Sequence, residues 1–278
     1  MPSIREKYFE LKKINSPYLN DNVIRALLMH LNIISDPLDL TMNMEKECKN
    51  CAELDKFVEK VLSGEPYQYV INESIFNCKS FYVDKRVLIP RNETEELFQK
   101  TVKLIKKYHL EDGTFLDFCT GSGVLGVSLK HEFRNSDVYV SDISKDALAV
   151  TSFNMMRLNS KVTVVESDML ENVLKLNKRF DVLISNPPYI PSEDTVDPQV
   201  LSYEPHLALF ANPDTKFYEE VFKHYKELMN EKYIMAFEIG EDMEASLTAL
   251  INEYFKDVKY FFEKDIYNKT RFLFIINE

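Results

Sequence analysis

Four consecutive residues, Asn186-Pro187-Pro188-Tyr189, end an apolar run that begins near residue 180, and their types define what could bind beside them. Each proline locks its own φ, disfavours a helical residue before it and lacks an N–H. Such a corner is stiff, extended and rich in acceptors, chiefly the Asn186 side-chain carbonyl and the Pro187 backbone carbonyl. Two acceptors match the two donors of a planar –NH₂ group, and Tyr189 offers a flat face on which an amide or a base can stack. Hydrogen bonds from the amino hydrogens push electron density onto a nitrogen whose lone pair is otherwise delocalised. No His, Lys or carboxylate stands in the corner. Catalysis there would rest on positioning and electrostatics, and positioning can supply on the order of 7–11 kcal/mol. Asn186, Pro187 and Tyr189 are therefore the candidate catalytic residues, and Asn186, Pro187, Pro188 and Tyr189 together the candidate substrate clamp.

A second pattern suggests what such a nitrogen would meet. In "FLDFCTGSGVLG" a strand runs into a glycine turn and then a helix, with Gly121, Gly123 and Gly126 in the spacing G-x-G-x-x-G. Glycine permits the tight turn and lets a ligand approach the backbone. Asp142 stands nineteen residues after Gly123, at the end of the next strand-like run. A carboxylate there can accept hydrogen bonds from both hydroxyls of a ribose. Nicotinamide dinucleotides and S-adenosylmethionine both use this arrangement, so the pattern alone leaves the choice open. Asp168, after the third strand, is placed either to reach an adenine amino group or to cap a following helix. Met169 can pack on the adenine face. The candidate cofactor residues are Cys119, Thr120, Gly121, Ser122, Gly123, Asp142, Asp168, Met169 and Asn186.

Positioning these groups requires a particular scaffold. Strand-like runs at 114–118, 137–141, 161–165, 180–185 and 233–239 alternate with amphipathic helical runs, the pattern of a parallel sheet covered by helices. After a helix at about 242–255, "VKYFF" and "RFLFII" follow with no helix between them, which predicts a closing antiparallel hairpin. Residues 93–108 read as a helix with Lys103, Lys106 and Lys107 on a solvated face. Before it, "SIFNCKSFYVD" reads as a β-hairpin turning near Asn77 to Ser80, a bridge between domains. Apolar spacing of three and four makes residues 1 to about 63 helical, with Asp21 and Ser35 as expected caps, and Gly64 and Pro66 ending that region. The expected domains are a helical domain over 1–73, a hairpin linker over 74–90 and a catalytic domain over 91–278.

Composition narrows the classes. A formal net charge of −11 argues against a broad nucleic-acid face, which needs surplus Lys and Arg. No segment approaches the ~20 apolar residues of a membrane helix, and the charged start "MPSIREKYFELKK" is unlike a signal peptide, so a cytoplasmic protein without membrane contact is expected. Cys48 and Cys51 form a lone C-x-x-C without a second ligand pair; two ordinary helix-surface thiols are expected, and no metal site.

"GEPYQYV", "FYVDKRVLIPRNETEEL", "FLDFCTGSG", "SNPPYI" and "LSYEPHLALFANPD" together resemble the protein-(glutamine-N5) methyltransferases that modify peptide chain release factors, the PrmC/HemK family. The matched blocks run from about Gly64 to Arg271. The resemblance implies a class I S-adenosylmethionine-dependent methyltransferase, an α/β Rossmann-like fold with a mostly parallel sheet and a C-terminal antiparallel hairpin. It also implies that the small N-terminal helical domain recognises the substrate. The cofactor would be S-adenosyl-L-methionine, held by Cys119 to Gly123, Asp142 and Met169. The partner would be a release factor whose Gly-Gly-Gln glutamine enters the clamp of Asn186 to Tyr189, on an enzyme expected to act as a monomer and without direct nucleic-acid binding. Two departures stand out: Cys119 replaces a glycine common in relatives, and "PDTKFYEE" lacks the usual Gly-Leu before Phe-Tyr. Arg91 and Glu93 in "IPRNETE" are expected to link hairpin and catalytic domain, or to form a lid. Three other readings use parts of the pattern: an adenine or guanine amino methyltransferase, a dinucleotide oxidoreductase and a non-catalytic binding module. A ribosomal-protein glutamine is a further substrate for the same corner.

Overall fold

The computed structural model describes residues 1–278, the side chain of Thr195 excepted. It divides into two compact units, Met1–Glu73 with Pro198–Tyr203, and Ser74–Asp197 with Glu204–Glu278. Among the described residues no helix is long and apolar enough to cross a membrane.

The smaller unit is helical: α1 (Ile4–Lys12), α2 (Asp21–His30), α3 (Pro37–Met42), α4 (Cys51–Leu62) and α5 (Tyr67–Ile71). Ser3 and Glu6 close a capping box on α1, satisfying two otherwise orphaned N–H groups. The caps of α2 and α3 are Asn20 and Asp36, one residue from the expected Asp21 and Ser35, because these side chains reach the free N–H groups of the first turn. Pro66 does not end the helical region. It occupies the N-cap of α5, where a missing N–H costs nothing. The helices converge on Ile4, Leu11, Ile24, Leu27, Leu28 and Leu54, all 2% exposed or less. Cys48 and Cys51 are not surface thiols: Cys48 is fully buried and joined to Cys51 by a disulfide. Asn50, at φ 62°, turns the chain into α4 and folds the two cysteines together, with Cα atoms 5.8 Å apart.

The larger unit begins with β1 (Ser74–Phe76) and β2 (Lys79–Phe81), an antiparallel hairpin. Asn77 and Cys78 both have positive φ, as a two-residue hairpin turn demands. The hairpin packs into this unit's core, with Phe76 edge-on against Phe81 and Phe98. There follow α6 (Asn92–Tyr108), β3 (Thr114–Phe118), α7 (Val124–Glu132), β4 (Asp137–Asp142), α8 (Lys145–Arg157), β5 (Thr163–Glu166), α9 (Glu171–Leu174) and β6 (Phe180–Ser185). After α10 (Pro198–Tyr203), which clusters with the helical unit, come α11 (Lys216–Leu228), β7 (Met229–Glu238), α12 (Glu244–Tyr254), β8 (Lys259–Lys264) and β9 (Thr270–Asn277).

Seven strands form one sheet in the order β5-β4-β3-β6-β7-β9-β8. Pairs from β5 to β7 are parallel, and the last two are antiparallel, as expected from the final hairpin. Both faces are buried. Along the strands Phe115, Val182, Ile184 and Ile234 enter one core cluster, while the alternating Leu116, Leu183, Met235 and Phe237 enter the other. Leu97, Phe98 and Ile105 of α6 cover the first face; Tyr218, Val221 and Phe222 of α11 cover the second. The chain moves outward from β3 to β5, then returns to β6 on the other side of β3. This reversal opens a crevice at the carboxyl ends of β3 and β6, where open α/β sheets hold ligands.

Candidate active site

Strand register brings the separate motifs level. Phe118, the last residue of β3, pairs with Ser141 of β4 and Ser185 of β6. The next residue on each strand line is therefore Cys119, Asp142 or Asn186, and all three line one cavity. Thr120, Gly121, Ser122, Asp168, Met169 and Pro188 line it too. Gly123, Pro187 and Tyr189 are not among the lining residues: Pro187 is buried, and the Tyr189 ring packs into the core cluster of Leu183 and Phe237.

The glycine turn is held from several sides. Thr120 N–H donates to Ser141 O at 2.9 Å, Thr151 Oγ1 to Gly121 O at 2.8 Å, and Asn154 Nδ2 to Ser122 O at 2.8 Å. Beneath it, Asp117 accepts from Thr120 Oγ1 at 2.5 Å and from Gly126 N–H at 2.8 Å. Its other oxygen is buried without a partner. Burial pushes the Asp117 carboxyl up to about 7, against the lowering effect of Thr120 and Gly126. Cys119 adopts φ 62°, a left-handed conformation costing a non-glycine residue about 1–2 kcal/mol, which a glycine here would avoid. Its thiol is pushed well up by burial and by the carboxylates of Asp142 and Asp117, so it is not a nucleophile. Two glycines serve different ends. A methyl group on Gly126 would sit 2.3 Å from Val140 Cγ1, so α7 needs glycine to close onto the sheet. A methyl group on Gly121, at φ 57°, would meet nothing within 4 Å and would fill the mouth of the cavity.

Asp142 takes Gly121 N–H on one oxygen and Ser144 N–H on the other, each at 2.9 Å. Burial nonetheless raises its pKa, and each oxygen keeps a lone pair for a ligand hydroxyl. The cavity thus presents a glycine turn without side-chain obstruction beside a tethered carboxylate, which fits a ribose and a cationic group attached to it. Asp168 is exposed on the rim and α9 has no side-chain cap, so the capping alternative is not realised.

At the asparagine corner the structure adds partners. Asn186 Nδ2 donates to Thr94 Oγ1 at 3.0 Å, which fixes the orientation of the amide and leaves Oδ1 without a partner among the described residues. Thr94 Oγ1 in turn donates to Glu238 Oε2 at 2.6 Å, and Tyr189 Oη donates to Glu238 Oε1 at 3.3 Å. Burial raises the Tyr189 hydroxyl, with Glu238 adding to it, so the phenol stays neutral. Arg91 links the segment after the hairpin to the rest of the catalytic unit, through a residue other than Glu93. It pairs at 2.5 Å with Glu204, which is 4% exposed and also accepts Ile89 N–H at 3.0 Å. That pair ties the 87–90 wall of the cavity to the wall containing Pro205, Leu207 and Ala208.

Thr94, Asp117, Glu204 and Glu238 were not among the expected site residues. Asp117 and Glu238 carried a signal: each is a carboxylate within an otherwise apolar strand, where charge is rarely buried without a task. Thr94 and Glu204 carried none.

Comparison with known proteins is consistent with this architecture. The family described as "Methyltransferase small domain" matches residues 96–202. The 16S rRNA N2 G1207 methyltransferase of T. thermophilus, solved with AdoMet and guanosine, superposes with TM-score 0.54 at 13% identity, covering 74% of this chain and 50% of that one. At that identity the likeness speaks to the fold. The fold and the site together define a class I S-adenosylmethionine-dependent methyltransferase. The release factor glutamine methyltransferase of Bacillus cereus is 34% identical over 241 residues, covering 84% of this chain and 85% of its own. That of Leptospira interrogans is 32% identical over 279 residues, covering 97% and 94%. The chain belongs to the release factor glutamine methyltransferase family.

Proposed function

We propose that this protein transfers a methyl group from S-adenosylmethionine to the side-chain amide nitrogen of the glutamine in the Gly-Gly-Gln loop of a peptide chain release factor. One observation carries the reading: Asn186 shares a cavity with Asp142 and has its amide nitrogen already committed to Thr94, so its oxygen is the atom offered to a target amide. Bound there, S-adenosylmethionine supplies an electrophilic methyl group on a positively charged sulfur. Cys119 to Gly123 and Asp142 would hold it, with Asp168 and Met169 at the adenine end. Carboxylates at Asp142 and Asp168, both lining the cavity, suit a ligand carrying positive charge.

Asn186 Oδ1 and the Pro187 carbonyl then accept the two hydrogens of the target amide. This orients the nitrogen and raises its electron density. Tyr189 braces the corner through Glu238. The methylated nitrogen is strongly acidic and loses its extra proton to solvent, so no general base is needed. Recognition of the release factor is assigned to the helical unit of Met1–Glu73.

Labelled S-adenosylmethionine, incubated with the protein and separately with a release factor, a glutamine-bearing ribosomal protein and duplex DNA, tests the reading. Label is expected on the release factor at the Gly-Gly-Gln glutamine. Label on DNA or on the ribosomal protein alone would overturn it.

A further inference from the structure

A carboxylate at the tip of β7, 3% exposed and flanked along its strand by Phe237 and Ile239, is an expensive group to bury, so its partners are informative. Glu238 has two, the hydroxyls of Thr94 and Tyr189, and Thr94 alone connects it to Asn186. We infer that Glu238 and Thr94 are positioning residues that set the hydrogen-bond polarity of Asn186, and that they thereby make the site accept a carboxamide and refuse a carboxylate. The inference rests on the proposed glutamine reaction.

Proton counting gives the argument. A hydroxyl has one proton to donate, and an ionised carboxylate can only accept. Thr94 must therefore give its proton to Glu238, which leaves its oxygen only as an acceptor toward Asn186. Of the two ends of the Asn186 amide, only Nδ2 can donate. Oδ1 is then turned to the target, where a glutamine amide supplies donors and a glutamate carboxylate supplies repulsion. Protonated Glu238 reverses the chain. The acid donates to Thr94, the Thr94 proton becomes free for Asn186 Oδ1, and the amide turns over to present its –NH₂ group. A target amide nitrogen would then meet a donor.

The groups facing Glu238 come from several elements. Burial raises its pKa to about 7, Glu93 of α6 adds to this, and Thr94, Tyr189 and Arg271 of β9 oppose it. Tyr218 of α11 donates to its backbone carbonyl at 2.8 Å and leaves the carboxylate untouched. The polarity of the clamp is thus poised to depend on pH near neutrality.

The experiment compares the intact protein with Thr94→Val and Thr94→Ser, and Asp117→Asn with and without Glu238→Gln, on a release factor, with cofactor binding followed by calorimetry. Thr94→Val should lower kcat about 30-fold, in the range that small misplacements of a reacting group cost. Its cofactor Kd should stay within about twofold. Thr94→Ser, which restores the hydroxyl, should recover most of the loss. In an Asp117→Asn background, which removes the other buried carboxyl raised to about 7, kcat/KM should fall as pH drops through about 7, and this limb should vanish when Glu238→Gln is added. A Gly-Gly-Glu peptide should inhibit the unaltered protein better at pH 6 than at pH 8, by roughly the factor of protonated Glu238 gained. A Thr94→Val protein that binds cofactor and turns over like the original would overturn the inference, as would an acid limb that survives when Glu238→Gln is added to Asp117→Asn. Should Thr94→Val fail to fold, the Glu238→Gln profile in the Asp117→Asn background decides alone. Absence of methylation by the unaltered protein would instead defeat the reaction on which the inference rests.

Discussion

Gly121 donates its backbone N–H to the carboxylate of Asp142 at 2.9 Å, joining the turn after β3 to the end of β4. The acid that would hold a ribose is thus fastened to the loop that such a ribose would cross. Ser144 N–H fastens the other oxygen, so Asp142 reaches a ligand already oriented and loses little freedom on binding. Asp142→Ala should weaken S-adenosylmethionine binding by about 2–3 kcal/mol, the scale of hydrogen bonds to a charged group. Isothermal titration measures this directly, and an unaltered Kd would place the ribose elsewhere.

Asn186→Ala separates clamp from cofactor site. Methylation should drop below detection while the cofactor Kd changes by less than about tenfold, or ~1.4 kcal/mol. Single-turnover assays alongside titration would show the split. Near-normal turnover in the variant would mean that the corner is not the amide clamp.

Gly126→Ala tests the packing of α7. Its methyl group would lie 2.3 Å from Val140 Cγ1 and 3.1 Å from an Asp117 oxygen, so helix and strand must separate. A destabilisation of about 1–3 kcal/mol is expected from such overpacking. Urea denaturation would register it, together with weaker cofactor binding as the adjoining turn shifts.

Asp117→Asn should make the ligand-free protein more pH-tolerant. Burial raises the folded-state pKa of Asp117 from 3.8 to about 7, so between those values the folded chain holds a proton that the unfolded chain has lost. By linkage this contribution to stability is complete below pH 3.8 and is lost as pH rises through about 7. The neutral isostere removes that loss. Its stability relative to the original should therefore rise between pH 5 and pH 8, by up to roughly 2–3 kcal/mol. Denaturation at the two pH values measures the difference, and an equal effect at both would show that Asp117 keeps one charge state throughout.

How far the sequence reaches can be judged from particular residues. The alternation of strands and helices was legible because each element writes its own period, two for a strand and 3.6 for a helix. The glycine turn and the Asn186 to Tyr189 corner were legible because glycine and proline act on their own backbone. Even so, periodicity ended β5 at 165 where the ladder runs to Glu166, and began β7 at 233 where pairing starts at Met229. Partners across a sheet, not the strand's own residues, decide where a ladder stops.

The sequence by itself determined the alternating scaffold, the glycine turn, the acidic end of β4 and the proline corner, all properties of a few adjacent residues and their backbone chemistry. The tertiary structure decided the rest. Register between β3, β4 and β6 set Cys119, Asp142 and Asn186 level. A helix 92 residues upstream of the corner supplied Thr94, and the tip of β7 supplied Glu238. Tyr189 turned toward that carboxylate, and Cys48 met Cys51 through the left-handed turn at Asn50. The reason is physical: a hydrogen bond or a charge acts over a few ångströms of space. Which distant residues come that close is settled only when the strands pair and the helices pack.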